Sequence, residues 1–262
     1  MRSAPHLWSF VRQTLLALGL CVLLGLWGCA VPLSASNSAL PLSTRPPRLT
    51  LAYAYYQNGQ YRVALEESQK VQEAHPELPQ AMSLQGLIFA RLNETALAHR
   101  SFHRAEQAAL QDPDIAHNYG LFLCEQQQFP ASFERFRRAL QQPLYTDKAK
   151  TLWVWGVCAQ QSGDELGAQS LWAQSLGMAP IAPAALSLAQ SYQQQNLTQR
   201  AQAVLATFNS TAAATPETLW LGIRLARQMA DETTVQRYAW KLQKQFPTSS
   251  QWNAFQHEAF DE

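Results

Sequence analysis

Gly86-Leu87-Ile88-Phe89-Ala90-Arg91-Leu92-Asn93-Glu94-Thr95-Ala96-Leu97-Ala98 opens on a glycine and ends, twelve residues later, on an alanine. The same pairing of small or short residues recurs along the chain: Ala52 with Ala64, Gly120 with Ser132, Gly156 with Ala168, Ala189 with Ala201 and Gly222 with Thr234. The first members follow one another at steps of 34, 34, 36, 33 and 33 residues. Small residues let two helices cross closely, whereas a large side chain at either position would push the axes beyond the usual ~8–10 Å. Each pair therefore marks a helix A packed on a helix B, and the period marks a stack of such hairpins. Bulky fillers surround the pairs, among them Tyr55, Phe89, Phe102, Phe136, Trp155 and Trp172. Asn58-Gly59 and Ser162-Gly163 fall between helices A and B. His75-Pro76, Asp112-Pro113, Ala179-Pro180 and Phe246-Pro247 fall between units, where proline stops a helix.

Six units at a period near 34 predict an all-α fold, a right-handed superhelix of about six tetratricopeptide (TPR) repeats. The units run near 48–78, 79–112, 113–146, 149–181, 182–214 and 215–247, and a C-terminal cap follows to about residue 256. The last two units are degenerate: unit 6 carries Thr234 where alanine is usual and lacks a turn glycine. Terminal repeats are commonly atypical because they close the stack. Trp252 and Phe255, three apart and so on one helical face, suit that cap.

Ahead of the repeats, Leu26-Trp27-Gly28-Cys29 closes an apolar stretch of 14 residues, Thr14 to Trp27, preceded by Arg2 and Arg12 and no acid. That layout predicts an export signal over 1–28, cut before Cys29, whose thiol then takes a lipid. The stretch is shorter than the roughly 17–25 residues a membrane-spanning helix needs. Residues 29–47, rich in Ser, Pro and Ala with Arg45 as their one charge, read as a lipidated flexible tether. Losing residues 1–28 leaves 18 basic against 19 acidic side chains, which offers no electrostatic footprint for nucleic acid.

Of four cysteines, Cys21 leaves with the signal and Cys29 carries lipid, which leaves Cys124 and Cys158. Both fall on A helices of adjacent units, and their two-residue offset relative to the small residues is about 200° of helical rotation. One side chain then faces forward along the stack and the other backward. Adjacent helices bring Cα atoms to about 5 Å at closest approach, which fits a disulfide. The loop so closed should contribute roughly 3–4 kcal/mol in an oxidising compartment.

Nothing in the sequence organises catalysis, and no metal or cofactor is expected. His99 and His103 share a helical face, but no glutamate follows the first histidine as a zinc protease requires. Asp112 and Asp114 read as cap residues around Pro113. No glycine-rich phosphate loop, Gly-x-Ser-x-Gly or Cys-x-x-Cys is present.

TPR arrays bind extended peptides or short helices along the face lined by helix A. Counted from each small residue, that face takes Leu49, Tyr53, Tyr56 and Gln57 from unit 1 and Ser83, Leu87 and Arg91 from unit 2. It takes His117, Leu121 and Glu125 from unit 3, and Trp153 and Val157 from unit 4. Apolar character with sparse charge predicts an apolar partner segment. Tyr53, Tyr56 and Leu87 are the leading candidates, because unit 1 has no preceding neighbour to cover it.

Three stretches are more specific than the repeat: Asn118-Tyr119-Gly120-Leu121-Phe122-Leu123-Cys124, Leu219-Trp220-Leu221-Gly222-Ile223-Arg224-Leu225-Ala226, and Tyr238-x-x-x-Leu242-x-x-x-Phe246-Pro247-x-Ser249. With the lipid signal, they resemble the type IV pilus biogenesis and stability TPR lipoproteins, the pilotins, over roughly residues 29–256. The turn of unit 3 departs from the family, reading Gln126-Gln127-Gln128 without glycine or acid. The resemblance implies an outer-membrane lipoprotein facing the periplasm. It implies that the protein binds type IV pilus secretin subunits and supports their localisation and multimerisation, with other pilus alignment proteins as further candidate partners. Ala30 after the cysteine, where aspartate would favour inner-membrane retention, agrees with that address. The rival expectations are a TPR scaffold for β-barrel insertion or polysaccharide export, and a metal-dependent envelope hydrolase built on His99, His103 and His117.

Overall fold

Proline at the first helical turn sets where most A helices begin. Pro47, Pro79, Pro113 and Pro216 are each the first residue of a helix, where the missing N–H would have had no partner anyway. A computed structural model describes residues 46–260, and every element among them is helical. Unit 1 comprises α1 (Pro47–Gln57) and α2 (Tyr61–Ala74), and unit 2 comprises α3 (Pro79–Arg91) and α4 (Thr95–Ala108). Unit 3 comprises α5 (Pro113–Glu125) and α6 (Phe129–Leu140), and unit 4 comprises α7 (Lys148–Gln161) and α8 (Glu165–Met178). Units 5 and 6 follow as α9 (Ala182–Gln194) with α10 (Thr198–Asn209), and α11 (Pro216–Gln228) with α12 (Glu232–Gln245). A short α13 (Ser250–Gln256) ends the array. The chain is thus an all-helical TPR stack. The signal, Cys29 and the tether to residue 45 lie outside the described residues; Pro47, assigned above to the tether, belongs to α1.

Asp112-Pro113 lies between units 2 and 3 and starts α5, with Asp112 as the cap residue expected from the sequence: its carboxylate accepts from the backbone N–H of Asp114 at 2.9 Å and of Ile115 at 3.1 Å. Each of the six A–B turns holds one residue in the left-handed region. These are Gly59, Asn93, Gln127, Gly163, Asn196 and Ala230, with φ between 55° and 90°. The next N–H in each case bonds back across the turn, as Glu94 does to the Phe89 carbonyl at 2.8 Å and Asp231 to that of Ala226 at 2.9 Å. Glu258 repeats the device after α13, with Ala259 N–H bonding to the Ala254 carbonyl at 2.9 Å. α13 therefore behaves as the A helix of a truncated seventh unit. Its Trp252 and Phe255 stack at 5.6 Å and pack with Phe260 on the apolar core of unit 6.

The small-residue pairs lie where the helices cross, and Ser132 even donates its hydroxyl to the Gly120 carbonyl at 2.8 Å. A further rule governs what covers the first member. Gly86, Gly120, Gly156 and Gly222 each lie under an aromatic ring sixteen residues later: Phe102, Phe136, Trp172 and Tyr238. Where the first member is alanine, at Ala52 and Ala189, the residue sixteen later is Ser68 or Leu205. A missing methyl on helix A is filled by a ring from helix B, which keeps the interior at close-packed density.

Each A helix packs on its own B helix and also on the next A helix, whereas no two B helices pack backbone to backbone among the described residues. The A helices therefore line one side of the stack, and the seams between B helices open on the other.

Candidate partner-binding surface

Side chains one repeat apart bond in a ladder along the A-helix side. Asn118 donates to the Ser83 hydroxyl at 3.2 Å, and the Trp153 indole N–H donates to the Ser187 hydroxyl at 3.3 Å. Arg91 pairs with Glu125 at 3.0 Å, 34 residues apart and at the same position in successive A helices. Burial is the strongest single influence and works against the Arg91 charge, but hydrogen bonding and charge from Glu125 and Tyr56 together outweigh it and hold the guanidinium above its ordinary value. Burial lifts the Tyr56 phenol above its usual range, partly offset by the same guanidinium.

The ladder closes part of the face expected to be open. His117 is 5% exposed, its Nδ1 lies 2.7 Å from the Thr151 hydroxyl, and burial, reinforced by the Lys150 charge, pushes its pKa down to about 4. Leu49 and Ser83 are likewise buried between helices. Leu87, at 8% exposure, lies in a cluster that Tyr53 and Tyr56 pack against. These four positions are corrections: the next A helix, or the unit 1 tyrosines, cover side chains that counting along one helix had placed outward. What remains accessible is Gln57, Arg91 and Glu125, with Tyr53, Tyr56, Leu121, Trp153 and Val157 partly so. Tyr56 pairs with Tyr61 at 5.7 Å between ring centroids. Leu121 and Trp153 pack on the apolar cluster that holds the Cys124–Cys158 disulfide, whose Cα atoms are 5.8 Å apart. The surviving surface is aromatic and apolar, with one internally matched ion pair at its centre. It suits a protein segment.

His99 bonds through Nε2 to the Tyr119 hydroxyl at 3.1 Å, so its ring serves packing within unit 2 and unit 3. No group of three or more His, Cys, Asp or Glu that could hold a metal exists among the described residues.

The type IV pilus assembly protein PilF of Pseudomonas aeruginosa is 26% identical to the chain over 250 residues, spanning 92% of this chain and 98% of that protein. The chain is a homologue of PilF. The solved structure of P. aeruginosa PilF superposes with a TM-score of 0.61 at 25% identity, covering 81% of this chain and 96% of the other. PilW, a type IV pilus biogenesis factor, shares the fold with a TM-score of 0.61 at 23% identity, covering 80% and 97%. No protein-family model matches the chain. Among the described residues of this PilF homologue, the repeats and α13 account for every helix.

Proposed function

We propose that this protein is a pilotin: a lipid-anchored scaffold on the periplasmic face of the outer membrane that binds type IV pilus secretin subunits and promotes their multimerisation there. The observation that carries the reading is near full-length homology to a type IV pilus assembly protein. Gly28-Cys29 after an apolar run supports the anchor. Two or more acyl chains hold a protein at a membrane where one does not, since each buried CH₂ contributes about 0.8 kcal/mol. The lipid supplies the address and the helical array supplies the grip. Assembly is promoted by concentrating subunits at one surface, a gain in effective concentration that needs no chemistry.

Deletion of the gene, with immunoblotting for secretin multimers in separated membranes, tests the reading. Loss of the multimer with monomer left behind is expected; intact outer-membrane multimers would overturn it. Cys29→Ser should leave a folded protein away from the outer membrane and secretin monomers unassembled.

A further inference from the structure

Hairpins stacked side by side present two edges. The A–B turns form one, and the links from each B helix to the next A helix form the other. The A–B turns are polar at their tips, as in Asn58-Gly59, Asn93-Glu94, Gln126-Gln127-Gln128 and Ser162-Gly163. The linking edge is apolar at the corresponding places. Leu110, Leu144 and Met178 occupy three successive links at steps of 34 residues, and they are 51%, 88% and 59% exposed. Among the described residues, Val63 and Leu166 are the large apolar side chains exposed near the opposite edge, each inside the first turn of a B helix.

The three links are neighbours. Gln142 donates to Gln111 at 2.8 Å, joining the links that carry Leu144 and Leu110. Near the end of α8 the Ser175 hydroxyl donates to the Ala149 carbonyl at 2.7 Å, which sets Met178 beside the start of α7. Leu144 is held outward by the residue after it. Tyr145 turns into the core, its hydroxyl lies 2.8 Å from that of Thr151, and its N–H donates to the Gln142 carbonyl at 3.3 Å. The link is already ordered, so covering Leu144 costs little further chain entropy.

The course of the chain says what lies against this edge. The start of α1 sits beside the end of α2: Arg48 pairs with Glu67 at 2.6 Å, and Leu49 shares an apolar cluster with Val71. Pro46 therefore emerges on the linking edge, 17 residues after Cys29. An unstructured lead of that length spans roughly 21–25 Å, close to the ~21 Å length of a 14-residue helix. A lipid on Cys29 keeps the linking edge next to the bilayer and the polar edge about one helix length farther away.

We propose that the linking edge contacts the membrane, with Leu110, Leu144 and Met178 entering the bilayer interface that holds the lipid of Cys29; this rests on the lipid anchor proposed above. The contact is apolar. Glu77, Asp114, Asp147 and Glu217 share this edge with Lys148 and Lys150, so no net positive field draws it to anionic headgroups. An array seated this way turns its A-helix face along the membrane, open to a protein partner.

The test uses the full-length lipoprotein reconstituted in vesicles of phosphatidylethanolamine and phosphatidylglycerol, with the fluorophore NBD on one introduced cysteine. Leu144→Cys and Met178→Cys report the linking edge; Glu94→Cys and Gln195→Cys report the other. Nitroxide-bearing lipids should quench the first two by about twofold or more, at low and high salt alike, and leave the other two unquenched. Leu110→Asp with Met178→Asp, at exposed positions that spare the core, should roughly halve the quenching at Leu144→Cys with Tm unchanged, while Leu110→Ile with Met178→Leu keeps it. Equal quenching at both edges, none at Leu144→Cys, or quenching indifferent to the two aspartates would overturn the proposal. Mass spectrometry of the same preparation separates the two readings. Acylated Cys29 without quenching at Leu144→Cys defeats the membrane edge and leaves the anchor standing; unacylated Cys29 defeats both.

Discussion

The ring of Phe102 lies on Gly86 so closely that a methyl group built there would come 2.8 Å from three of its carbons. Gly86→Ala gains up to about 1 kcal/mol of helix propensity but overpacks a fully buried contact, which typically costs ~1–3 kcal/mol. The crowding should win, with a net loss of about 1–2 kcal/mol in urea unfolding. Adding Phe102→Leu copies the Ala189–Leu205 combination of unit 5 and should recover part of that loss. A coupling of about 1 kcal/mol or more is expected in the double-mutant cycle; strictly additive effects would sink the compensation rule.

Ala230 and Gln127 hold the left-handed turn position that Gly59 and Gly163 hold in other units. A side chain in that region costs roughly 1–2 kcal/mol, while glycine gives back part of the gain as chain entropy. Ala230→Gly and Gln127→Gly should each stabilise by about 0.5–1 kcal/mol. Destabilisation by either variant would show that the turn is not strained.

His117 makes the fold acid-sensitive. Its folded pKa is about 4 and its ordinary value is 6.5, so the unfolded chain takes up a proton in that window and the folded one does not. The sign follows: stability contributed by the neutral ring is full above pH 6.5 and falls as the pH drops toward 4. Between pH 7 and pH 5 the loss is about 2 kcal/mol. His117→Gln should flatten that slope in denaturant titrations at both pH values, whatever it does to stability at pH 7.

The Cys124–Cys158 bridge joins residues 34 apart and restrains the unfolded chain. Reduction, or Cys124→Ser with Cys158→Ser, should cost roughly 3–4 kcal/mol in the chain-entropy view. Calorimetry with and without reductant measures it. An unchanged Tm would mean that packing in the surrounding Phe136 and Val154 cluster holds these units unaided.

Two ion-pair sites should respond very differently. Glu106 is largely buried and takes hydrogen bonds from Arg138 and Arg135, which hold its carboxyl below the usual range against the effect of burial. Glu106→Gln leaves two cations on one seam and should cost about 2 kcal/mol or more. Arg91 and Glu125 are about one-third exposed, so Arg91→Ala should cost under ~1 kcal/mol. Equal effects would contradict the difference in burial.

The hairpins were legible because Gly86 and Ala98 and their counterparts must be small wherever helices cross, a constraint written in residue type and spacing. What covers them was not, because Phe102, Phe136, Trp172, Leu205 and Ser68 share a position but no residue type. Unit 6 read as lacking its turn glycine, yet Ala230 adopts the same backbone, since hairpin packing overrides the local preference. On the A-helix face, helical counting placed His117 and Leu87 outward correctly for one isolated helix. It could not see the ladder that seals them against Thr151 and beneath Tyr53 and Tyr56. From Leu166 to Pro216 the chain carries a single charge, Arg200, a local scarcity that a near-neutral average composition conceals.

Because its noncovalent links join only neighbouring repeats, the array has the mechanics of a zip with one rivet. Pulled from its N-terminal lead, unit 1 should peel before unit 2, and the tear should halt where sulfur ties unit 3 to unit 4. A load applied between its two ends would then lengthen it in steps, with the units beyond α7 shielded behind the rivet.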